Sequence, residues 1–71
     1  MIRVKEGVDI LKMLANCGFT SYFLRKNKYM SESSIQRLRR GGLPSWEELD
    51  FICKILNYDI GDIVEFVDDR D

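Results

Sequence analysis

Residues 31–40 read SESSIQRLRR, in which Ser31, Glu32, Ser33, Gln36, Arg37, Arg39 and Arg40 carry groups able to bond another molecule. Serine is small enough to let a backbone approach closely. Glutamine can bond two positions along one edge of a base, and arginine can grip a base edge or a phosphate through paired N–H donors. At helical spacing Ile35 and Leu38 share one side, flanked by Ser31 and Ser34. Ser33, Gln36, Arg37 and Arg40 fall on the opposite side, with Glu32 at the boundary. A face this short, polar and basic suits a groove lined by phosphates better than an apolar partner.

Other chemistry is hard to find. The chain has no histidine, so the commonest general base near neutral pH is missing. Cys17 has no basic neighbour in sequence and Cys53 only the single Lys54, so neither has the basic setting that would mark a nucleophile. Gly41-Gly42 lacks the Lys-Ser/Thr that follows a phosphate-binding glycine loop. Without histidine or a Cys-x-x-Cys pair, a structural zinc is disfavoured. The expectation is therefore no enzyme, no metal, no cofactor and no small-molecule ligand. No apolar run approaches the roughly 18 residues of a membrane span, so no membrane partner is expected. Cys17 and Cys53 lie among apolar residues of helical patterns and are read as buried free thiols of a cytoplasmic protein.

The net charge of −1 conceals an asymmetry. Residues 20–46 carry six basic groups (Arg25, Lys26, Lys28, Arg37, Arg39, Arg40) against Glu32 alone, a net of +5. Residues 47–71 carry two basic and nine acidic groups, a net of −7, and residues 1–19 carry +1. A basic middle beside an acidic end suggests one surface that faces a polyanion.

The elements that must position these residues follow from local signals. A chain of 71 residues is read as one domain, 1–71. At this size folding buries only about 60 % of the unfolded surface. MIRVK alternates as a short strand, with Ile2 and Val4 against Arg3 and Lys5. VDILKMLANC sets Val8, Leu11, Met13, Leu14 and Cys17 near one side of a helix that Gly18 closes. TSYFLRKN reads as a second helix capped by Thr20 or Ser21, with Tyr22, Phe23 and Leu24 as apolar bulk. ESSIQRLRR follows, capped by Ser31 and ended at Gly41 or Gly42, and Pro44 stops its continuation.

Ser45 and Glu48 form a capping-box signature at the head of a fourth helix, whose stripe is Leu49, Ile52, Cys53 and Leu56 with Trp46 at its first turn. Beyond Asn57, DIGDIVEFV reads as one helical turn capped by Asp59 and a strand, VEFV. That strand can pair with the first, Arg3 and Lys5 facing Glu65 and Asp68.

With these marks in hand, residues 2–67 resemble the small one-domain Cro/repressor-type helix-turn-helix regulators of the xenobiotic-response-element superfamily. The matching residues are Leu24, the Ser31-x-x-Ser34-Ile35 start, Leu38, the Arg39-Arg40-Gly41 exit, then Ser45, Leu49, Ile52 and Cys53. The run LDFICKILNYDIGDI is the most specific. The resemblance implies an all-α, compact four-to-five-helix, lambda-repressor-like domain, with a two-stranded sheet joining the termini. Its motif would span about 20–40, and its C-terminal helix and strand 45–67.

It also implies a sequence-specific transcriptional regulator that reads double-stranded DNA as a homodimer. The helix from Ser31 to Arg40 would enter the major groove. Base reading would fall on Ser31, Glu32, Ser33 and Gln36 or Arg37, and Ser21 would meet a phosphate. Arg39, Arg40 and the loop to Ser45 would follow the next phosphates, and the helix at Ser45 could offer its amides.

Three positions depart from that family's pattern. Arg25 replaces the usual alanine, Tyr29 the usual turn glycine, and Ser21 a frequent glutamine. Arginine is expected to lay its stem along the helix with its charge outside, whereas tyrosine must either take a costly conformation or alter the turn. The departures at Arg25 and Tyr29 and the acidic end support a second reading, an antitoxin-like or phage-borne interaction module that has lost DNA and whose acidic C-terminal segment binds a basic protein surface.

Overall fold

The computed structural model describes residues 1–68 and Arg70. Its elements run β1 (Ile2–Val4), α1 (Ile10–Asn16), α2 (Ser21–Lys26), α3 (Glu32–Arg39), α4 (Trp46–Leu56), a 3-10 turn (Ile60–Asp62) and β2 (Val64–Phe66). This is the expected helical fold with its small sheet. β1 and β2 pair antiparallel with Ile2 opposite Phe66, Arg3 opposite Glu65 and Val4 opposite Val64.

Each helix begins where a short polar side chain can take an orphan amide. Asp9 accepts from the Lys12 amide (3.2 Å), Thr20 from that of Phe23 (3.2 Å), and Ser31 from that of Ser34 (3.2 Å). At α4 the capping box closes in both directions: Ser45 Oγ accepts from the Glu48 amide (3.1 Å), and Glu48 Oε1 from the Ser45 amide (2.8 Å). Gly18 closes α1 as anticipated, its amide donating to Ala15 O at 2.9 Å. In the last turn before the sheet, Asp62 accepts from the Asp59 amide (2.9 Å).

The core is Ile10, Leu14, Leu24, Met30, Ile35, Leu38, Leu49, Ile52 and Ile63, with Val4, Val8, Leu11 and Val64 packed on its edge. One fully buried residue from each of α1, α2, α3 and α4 (Leu14, Leu24, Ile35, Ile52) meets Ile63 from the C-terminal segment. This arrangement fixes the back of α3 against the rest of the molecule and leaves its other side to solvent. Ile10, Met30 and Ile63 belong to this core although their places in the periodic pattern do not single them out.

Several expectations about side chains are corrected. Cys17 is exposed, because α1 ends at Asn16 and the C-cap carries it off the apolar stripe. Cys53 is half-buried, and that burial, ahead of nearby acidic groups such as Asp59, pushes its thiol up. Trp46 is 78 % exposed. It occupies the first position of α4, where the side chain leans back toward the helix start and past the core. Tyr22 is also exposed and lies 5.6 Å beneath Lys26 Nζ instead of supplying core bulk. Arg3 does pair with Glu65 (3.0 Å), but Asp68 binds Arg70 (3.0 Å) rather than Lys5.

Candidate nucleic-acid interface

The turn from α2 to α3 decides how α3 is presented. The left-handed residue there is Lys28, at φ 59, and not Tyr29. The Lys28 amide donates to Arg25 O (3.1 Å) and the Tyr29 amide to Leu24 O (2.9 Å). Displacing the positive φ by one residue spares Tyr29 the strain expected of it. Its ring is thereby free to stack on Phe51 at 5.2 Å and on Phe23 at 6.0 Å, while Phe19 meets all of these rings edge-on. The tyrosine ties the turn to α4.

On α3, Ser34, Ile35 and Leu38 are buried. Ser31, Glu32, Ser33, Arg39 and Arg40 are exposed, and Gln36 and Arg37 are intermediate. Ser21, at the start of α2, is also intermediate. The structure thus brings Ser33, Gln36 and Arg40 onto one open side, with Glu32 and Arg39 beside them. Ser31 shares its hydroxyl with Ser33 (3.1 Å) and donates to Ser34 (3.1 Å).

Arg25 and Glu32 explain each other. Arg25 Nη1 donates to Glu32 Oε2 at 2.7 Å, and Gln36 Nε2 donates to Glu32 Oε1 at 3.2 Å. These bonds, that of Arg25 first, hold the Glu32 carboxyl below its ordinary range. The acid on the open side of α3 therefore arrives with its own counter-charge, supplied by Arg25. That pair spans i to i+7 across two helices, so no single-helix pattern reveals it.

Arg37 is turned elsewhere. Its Nη1 donates to Glu48 Oε1 (3.1 Å) and Leu43 O (3.3 Å), with Nη2 at 3.5 Å from Ser34 Oγ. On the helical wheel it sits beside buried Ser34, at the rim that faces α4, and its partner Glu48 is the capping-box acid. Burial pushes the Glu48 carboxyl up, but the Ser34 hydroxyl, the Ser45 amide and the charge of Arg37 outweigh this and hold it below its ordinary value. In this arrangement Arg37 joins the end of α3 to the start of α4 rather than standing on the open face. Arg40 Nε donates to Gln36 O (3.3 Å), which leaves its terminal nitrogens outward.

The glycines after α3 make that junction possible. Gly41 adopts φ +83, a conformation that side chains resist. A Cβ on Gly42 would lie 2.7 Å from Arg37 Cγ and 3.0 Å from Arg37 O. The Gly42 amide donates to that same carbonyl at 2.8 Å.

Residues 9–69 match the family described as the Cro/C1-type HTH DNA-binding domain. No curated protein and no solved structure matches the chain.

Proposed function

The chain belongs to the Cro/C1-type helix-turn-helix DNA-binding domain family, and from that premise we propose that it is a transcriptional regulator whose α3 reads the major groove as one half of a homodimer. The carrying observation is the division of α3: Ile35 and Leu38 lock its back into the core, while Ser33, Gln36 and Arg40 are held outward together. Such a helix presents its N-terminal half to base edges and its exit to phosphates. Base contact falls to Ser31, Glu32, Ser33 and Gln36, phosphate contact to Ser21, Arg39 and Arg40, and Arg37 supports the face from behind. The main objections to DNA binding, the residues at 25 and 29, have structural roles compatible with it.

A homodimer would use the sheet end. Ile2 and Phe66, opposite each other in the ladder, are 52 % and 68 % exposed. Beside them an apolar cleft of about 420 Å³ is lined by Ile2, Leu43, Pro44, Trp46, Ile60 and Val64 among others. A single small domain makes few contacts, and two copies on half-sites about 34 Å apart multiply them.

The reading is tested by titrating DNA binding against salt. Affinity should fall linearly on a logarithmic scale as salt rises, and Arg40→Ala should lower that slope by about 1 while weakening all sequences alike. Salt-independent binding, or no binding to any selected sequence at low salt, would overturn it.

A further inference from the structure

Arg25 stands one helical turn after Ser21 on α2, so it continues the face on which a phosphate contact is assigned. Across the turn it shares a shallow cleft of about 370 Å³ with Lys28, Met30, Ser31 and Glu32. Two cations on the rim of an open cleft suit a phosphate. Among the described residues no carboxylate pairs with Lys28, whereas Arg25 is paired with Glu32. Their side chains remain 42 % and 55 % exposed, so the pair lies open to whatever docks on α3.

The Arg25 guanidinium bonds Glu32 through Nη1 alone and keeps its other N–H donors. What Glu32 withholds is charge. Its carboxylate, 2.7 Å away and ionised near neutral pH, cancels the arginine and repels a phosphate approaching the cleft. Arg25 gains little by trading Glu32 for a phosphate, because the trade strands a bare carboxylate beside the DNA backbone.

We propose, resting on the DNA-binding reading above, that Arg25 and Lys28 form a phosphate site that Glu32 holds silent. Phosphate contacts carry no sequence information. Silencing one therefore trims affinity for DNA of any sequence and leaves preference to the base-reading residues.

Glu32→Gln keeps the shape of the side chain and removes its charge. On a random duplex its affinity should exceed wild type roughly tenfold at about 50 mM salt, and its logarithmic salt slope should steepen by about 1. Arg25→Met/Glu32→Gln removes one charge of each sign and should return to the wild-type slope. Phosphate ethylation interference, on a site selected with the wild-type protein, reads the contact directly. Glu32→Gln should gain a sensitive phosphate beside the one that Ser21 meets, and the double variant should lose it.

An unchanged slope or footprint with Glu32→Gln would overturn the proposal. A gain that survives in the double variant would also do so, since repulsion by Glu32 would then explain it without Arg25. So would a wild-type footprint that loses a phosphate on Arg25→Met, which would make Glu32 the brace of an active contact. Each of these leaves DNA binding intact. Wild-type binding that is independent of salt, with no phosphate sensitive to ethylation, would overturn both readings.

Discussion

Tyr29 illustrates how one residue can break a family pattern without breaking the fold. Since Lys28 carries the left-handed φ, returning position 29 to glycine relieves nothing. It deletes the ring stacked between Phe51 and Phe23 and adds freedom to the unfolded chain. Tyr29→Gly is expected to lower stability by about 1–2 kcal/mol, the smaller end of aromatic truncations because the ring is half exposed. Tyr29→Phe should be close to neutral, since ring stacking is what the residue supplies. Urea unfolding of both variants checks this; a stabilised Tyr29→Gly would show that the turn is strained at 29 after all. The side-chain directions of Arg25 and Arg37 belong to the same scale. Each is a basic residue on a helix, yet one neutralises Glu32 across the motif and the other braces Glu48.

At the scale of elements, the junction of α3 and α4 is held by one carboxylate that accepts from both the Ser45 amide and the Arg37 guanidinium. Glu48 titrates lower in the folded protein than in the unfolded chain. The stability it lends is therefore complete above the ordinary carboxylate range and is lost as pH falls through its depressed folded value. Glu48→Gln keeps the shape and removes the charge. It should cost about 1 kcal/mol at neutral pH, and the gap to wild type should close in acid. Denaturant midpoints across a pH series measure that gap; a gap independent of pH would assign the effect to packing instead.

The same junction separates what sequence spacing carries from what packing decides. Caps at Ser31 and Ser45, the α2 cap as one of Thr20 or Ser21, the inward Ile35 and Leu38, and the pairing of Arg3 with Glu65 are legible in the sequence. Each rests on spacing within an element or on simple alternation along two strands. The Arg37–Glu48 and Arg25–Glu32 pairs and the exposure of Trp46 are not. They depend on how separate elements abut, and periodicity along one helix carries no term for that.

The whole molecule sets two charge patterns against each other, and salt should separate them. The face of α3 lies within a segment, residues 20–46, of net charge +5, whereas residues 47–71 carry −7. Around the apolar sheet end, exposed Trp46, Tyr58 and Ile60 border a cleft that Asp50 and Asp59 also line. Two copies meeting there would bury aromatic surface on the order of 100–200 Å² from each large ring and bring like charges together. Added salt screens that repulsion, so self-association should hold or strengthen over the range in which DNA affinity falls. Trp46→Glu should shift the protein toward monomer and weaken binding to a two-fold site far more than to a half-site. Sedimentation equilibrium at two salt concentrations, beside titrations on both DNAs, reads each effect. Dimerisation that weakened with salt in parallel with DNA binding would instead place the basic face at the protein–protein contact, and α3 could not then be free for the groove.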